Sequence, residues 1–130
     1  MTYPRGNLEG FYHRERTPVR IMGRFTVDAA PAVNCVDLHG RGYTAAVTAV
    51  GRYTITFTDA VYSLITANAT AMVVSAGSTD TEAQLGAFTP GGTGAATLVI
   101  RNMTAGAETD LLVDDYMCFE VVYYSEAMDA

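Results

Sequence analysis

Two histidines, two cysteines and a cluster of aspartates are the side chains here with the means to do chemistry. His39 falls in the turn-like stretch "DLHGRG" at 37–42, and His13 lies near the N-terminus. No serine occurs in a G-x-S-x-G setting, so a Ser-His-Asp relay has no support. A cysteine nucleophile needs an exposed thiol beside a histidine, whereas Cys35 and Cys118 both fall in strand-like runs where inert thiols are the rule. Their contexts are unrelated and lack metal-ligand spacing; a disulfide is open, with reduced core thiols the expectation. Asp110, Asp114 and Asp115 could offer oxygens to a hard cation such as calcium. Their spacing matches no EF-hand loop, and solvated loop charges are the expectation. "TPGGTG" at 89–94 has no Lys-Ser/Thr after its glycines, so a phosphate loop fails. Asn68 and Asn102 stand in N-x-T triplets, which chance supplies often. The expectation is a chain without catalytic residues, metal or cofactor.

The totals narrow the partners. A chain of 130 residues, 49% apolar, is long enough for one domain with a real core. Its net charge of −6 argues against nucleic acid. The charge is uneven: five Arg and two Glu in residues 1–24, three Arg and twelve acids in the rest. Such a basic leader suggests an arm that docks on something. All eight basic residues are arginine, which suits ion pairs at interfaces and equally reflects a GC-rich genome. No long apolar run follows Met1, so neither an export signal nor a membrane partner is expected.

What must position these residues is a set of strands. Residues 1–17 lack any period and mix aromatics, arginines and breakers, which reads as an extended arm pinned to a surface. From Pro18 the pattern becomes period 2: Val19, Ile21, Phe25 and Val27 on one face, Arg20, Met22, Arg24, Thr26 and Asp28 on the other. A weaker strand is expected at 32–38, and "YTAAVTAV" and "RYTITFT" flank Gly51 as a hairpin. "DAVYSLIT" breaks the alternation; Val61, Leu64 and Ile65 have helical spacing, Asp59 can cap, and a single helical turn or a bent crossover fits. Further strands are expected at 69–76, 83–88, 96–103 and 117–124. The prediction is an all-β, antiparallel sandwich over 18–130 behind the arm of 1–17.

Aromatic side chains could stack on sugars. Tyr43, Tyr53, Tyr62, Tyr116, Tyr123 and Tyr124 are the candidates, but most sit at core-parity positions and packing is the default. The last strand differs from the others. Met117, Phe119, Val121 and Tyr123 form one face, Cys118, Glu120, Val122 and Tyr124 the other, and both are substantially apolar. A strand covered on both sides is central in a core or at a subunit interface; the second face is assigned to an interface.

Three stretches carry a resemblance: "AVGRYTITFTDAVYSLITANATAMV", "GAATLVIRNMTAGAETD" and the closing "CFEVVYY". They resemble the small virion proteins of tailed bacteriophages, with a G-x-Y-T-[VI]-T-F strand at 51–57, a short segment at 59–64, a "TLVIR" strand at 97–101 and a final strand at 118–124. The same strand is similar to the C1q and tumour-necrosis-factor jelly rolls, which are trimers. The resemblance implies a jelly-roll-like sandwich that forms a homotrimer. It further implies a capsid decoration (cement) protein, made in the host cytoplasm and seated on the outer surface of the capsid against the major capsid protein. The arm lies outside that pattern. Its expected role is to anchor Tyr3, Phe11 and Tyr12 in capsid grooves while Arg5, Arg14 and Arg16 pair with capsid carboxylates. The alternative is a head-fibre or tail domain that binds host carbohydrate.

Overall fold

The computed structural model describes residues 18–29, 32–58, 61, 63–74, 81–91 and 95–124. The expected arm, 1–17, lies outside them, as do Asp59 and Tyr62 of the expected helical turn. Among the described residues every regular element is a strand: β1 (Pro18–Val27), β2 (Cys35–Gly40), β3 (Tyr43–Ala49), β4 (Arg52–Phe57), β5 (Ser63–Met72), β6 (Thr81–Thr89), β7 (Thr97–Thr104), β8 (Ala107–Glu108) and β9 (Tyr116–Tyr124). They form two antiparallel sheets, ordered β2-β1-β9-β5 and β3-β4-β7-β6, with β8 added to β7. The protein is an all-β sandwich.

Alternation builds it. β4 and β9 bury every second residue: Tyr53, Ile55 and Phe57 from one sheet, Met117, Phe119, Val121 and Tyr123 from the other. Phe25 and Val27 of β1 and Leu98 and Ile100 of β7 complete the layer between them. Each such side chain contributes about 1.5–3 kcal/mol on full burial. Phe25 and Tyr53 meet edge-to-face at 5.4 Å, tying the two sheets. Threonine supplies much of the opposite face of β4, where Thr54 and Thr56 stand half-buried on a strand geometry that β-branching favours.

Part of the expected helical turn is strand: β5 begins at Ser63 and ends at Met72, short of the expected 69–76. A register shift against β9 falls between Leu64 and Thr66. The extra residue, Ile65, is 45% exposed, and the phase slips so that Leu64 and Ala67 both pack against the core. Val61, ahead of the strand, is buried as well.

Loop aspartates fix the connections. Asp110 accepts from the Gly51 N–H at 2.9 Å and the Ala32 N–H at 3.3 Å, and Asp115 accepts from the Val74 N–H at 2.7 Å. Asp115 is 2% exposed, so the expectation of solvated charges is corrected there; Asp114 alone of the three is exposed. Backbone N–H groups need partners when strand ends leave the ladder, and a carboxylate satisfies them well.

Candidate interaction face

β9 runs between β1 and β5 in the first sheet, and its outward residues interleave with theirs. Arg20 lies opposite Val122, Met22 opposite Glu120 and Arg24 opposite Cys118; on the other side Thr66, Asn68 and Thr70 flank the same three β9 residues. The interface residues expected from the sequence, Cys118, Glu120, Val122 and Tyr124, therefore share one outer face, each half-buried by its cross-strand neighbours. The arm residues Tyr3, Arg5, Phe11, Tyr12, Arg14 and Arg16 lie outside the described residues.

Apolar surface is left open on this face. Met22 is 61% exposed and Met72 42%. Beside Met22 an open depression of about 430 Å³ is lined by Gly23, Gly40, Cys118 and Phe119. Two glycines paired across β1 and β2 make it. Gly23 has no room for a side chain on its inner side, since a Cβ would lie 2.5 Å from the Phe119 ring and 2.6 Å from Tyr43. Those two rings meet edge-to-face at 4.8 Å beneath it. The Tyr43 hydroxyl accepts from the Arg24 N–H at 3.2 Å and donates to the His39 carbonyl at 2.6 Å. It thereby closes the gap where the β1–β2 register shifts, between Arg24 and Thr26.

Arginines on the face have local contacts. Arg20 Nε meets Glu120 Oε2 at 3.2 Å, and the Arg24 guanidinium lies 4.8 Å over the Tyr116 ring. Neither cysteine is an activated nucleophile. Burial pushes the Cys35 thiol up to about 12, with the Asp28 carboxylate adding to it. Burial raises Cys118 too, against the pull of Arg24. Both are free thiols.

A second, narrower cleft of about 210 Å³ runs along Arg24, Thr26, Asp37, His39, Asp114 and Tyr116. It brings His39 near two carboxylates, the arrangement that would favour chemistry over adhesion. Among the described residues no hydrogen bond or ion pair joins His39 to either acid. Nor is any group of three or more His, Cys, Asp or Glu placed to hold a metal among those residues. Asn102 is buried and its amide donates to the Thr109 carbonyl at 2.9 Å, which removes one N-x-T triplet from the surface.

No family model matches the chain, and no curated protein or solved structure does either. The face therefore rests on its own geometry. Sequence parity puts the four β9 residues on one face and Arg20, Met22 and Arg24 on the outer side of β1. What parity could not supply was that β1 and β9 are neighbours, which is what assembles the two rows into one surface.

Proposed function

We propose that this protein is a structural virion component: a homotrimeric, jelly-roll-like capsid decoration protein that binds an assembled phage shell and stabilises it. The supporting observation is the outer face of the first sheet, where Cys118, Val122 and Tyr124 of the inner strand β9 lie beside the exposed Met22 of β1 and Met72 of β5. A half-apolar face with paired charges suits contact between subunits, where interface cores are depleted in free charge. In this reading the trimer forms through that face, and residues 1–17 hold the shell. A protein that binds only the assembled shell stabilises it by mass action.

The test is copurification with shells. Hundreds of copies per particle are expected, with the shell melting at higher temperature when the protein is bound. Val122→Arg should dissociate the trimer without unfolding the sandwich, and removal of residues 1–17 should abolish shell binding while leaving the trimer intact. A handful of copies per particle would instead indicate a tail or head-fibre part. The carbohydrate reading draws on the cleft beside Tyr116, but Arg24 already covers that ring, leaving no free aromatic platform there.

A further inference from the structure

Sheet edges present unpaired backbone groups, and folded proteins blunt them with charge, proline, bulges or brevity. Two edges of this sandwich are blunted in that way. β2 has six residues, carries Asp37 and His39, and turns Asp37 into the left-handed region at φ 55°. β6 carries Glu82 and shifts register between Leu85 and Phe88. β3, with seven residues, and β5, with ten, each shift register once near an end, between Val47 and Ala49 and between Leu64 and Thr66. β5 is the longer. From Thr66 to Met72 it runs in unbroken register with β9, and from Ser63 to Met72 it contains no charged residue, glycine or proline. Among the described residues no strand pairs with its other edge.

The middle of that edge reads the same in both directions: Thr66-Ala67-Asn68-Ala69-Thr70. Antiparallel pairing about a two-fold axis matches each residue before the axis with its mirror position after it, so a palindrome sets like against like. We infer that β5 is the edge through which two copies of this chain pair, with Asn68 on the axis and the two four-stranded sheets joined into one. Thr66 of one copy then faces Thr70 of the other, a threonine pair of the kind that stabilises sheets through side-chain contact. Every second residue of an edge turns both N–H and C=O outward, so pairing over this stretch forms roughly four to six backbone hydrogen bonds.

The core gives an independent reason. Ala67, Ala69 and Ala71 point inward yet stay only half-buried, and Leu85 on neighbouring β6 is 36% exposed. Small side chains on β5 leave this flank of the core open. A second copy continuing the sheet covers it on both sides at once. This pairing does not use the arm; Thr66, Asn68 and Thr70 border the outer face, so the crosslink at position 68 is the readout that separates edge pairing from contact through that face.

The test uses the purified full chain in analytical ultracentrifugation across a concentration series. Masses in even multiples of one chain are expected, two copies or six where trimers also form. Asn68 is exposed, so Asn68→Lys sets two like charges opposite each other on the axis without touching the core. It should weaken association by up to about fivefold. In hydrogen exchange the β5 amides that point away from β9 should be slow in the parent and fast in N68K, while β9 amides stay slow in both and report an intact fold. Asn68→Cys should crosslink to its own counterpart under mild oxidation, mapped by mass spectrometry to position 68, because directly opposed residues lie about 4.5–5.5 Å apart at Cα, within disulfide reach. A monomer or a pure trimer at millimolar concentration, unchanged by N68K, overturns the pairing. So does N68C that stays uncrosslinked; should N68K misfold, that crosslink decides alone.

Discussion

Tyr53 shows how one hydroxyl can decide a stability profile. Its ring is fully buried between the sheets, and its oxygen accepts from the Leu111 N–H at 2.9 Å. Tyr53→Phe keeps the ring and strands that N–H, so a loss of about 1–3 kcal/mol is expected in urea unfolding at neutral pH. Burial also pushes the hydroxyl from 10.0 up to about 12, against the pull of the Leu111 hydrogen bond. The sign follows from linkage. Between those two values the unfolded chain has released its proton while the folded chain holds it, so stability falls as pH rises. Below 10.0 the group contributes nothing to the slope; by about 12 the loss is complete, on the order of 2–3 kcal/mol. Unfolding midpoints measured from pH 9 upward should therefore decline in the parent and decline less in Y53F. An unchanged slope would show that other groups carry the alkaline loss. None of this was legible beforehand, because parity placed Tyr53 inside but could not name the loop that its oxygen holds.

Elements were legible where alternation was strict and illegible where it slipped. β1, β4 and β9 follow from period 2 alone, since a strand facing a core on one side must alternate. β5 does not, because the bulge at Ile65 breaks its two-residue period just after the strand begins. β8 had no signal at all, being only Ala107 and Glu108, and it carries a charge that two arginines share. Arg52 and Arg101 face each other across β4 and β7, a like-charge pair that costs stability unless something lies between them. Glu108 grips Arg52 with two hydrogen bonds of 2.9 Å and reaches Arg101 Nε at 3.5 Å. All three are partly exposed, so screening limits the gain. Glu108→Gln should cost about 1 kcal/mol at low salt and less in high salt, read by thermal melts in both. Packing sets a larger effect at Gly23. The added methyl of Gly23→Ala enters the Tyr43–Phe119 pair, which has backbone on one side and core on the other. A loss of about 1–3 kcal/mol is expected, with a shift in near-ultraviolet circular dichroism reporting the displaced rings.

The pairing order belongs to the whole molecule, and no local pattern encodes it. Period 2 says which face of a strand is inside and is silent about its neighbour, so β1 beside β9 could not be read from either segment. Yet that adjacency dictates how the chain folds. β1 and β5 each pair with β9 along most of their length; among the described residues β5 has no other sheet partner and β1 has only β2 until residues 116–124 arrive. Closing so long a loop before its contacts reward it makes refolding slow, in the millisecond-to-second range of sandwiches. It also makes the fold all-or-none. A chain ending at residue 115 loses the shared partner of two strands together with Met117, Phe119, Val121 and Tyr123 from the core. It should show no cooperative urea transition and no native β-sheet circular dichroism, even though all the other strands remain. Phe119→Leu is the graded version: it preserves the strand and removes only ring contacts, so it should unfold cooperatively at lower urea. A truncated chain that still melted cooperatively would mean that the second sheet holds the fold by itself, and that β9 merely adds a surface to it.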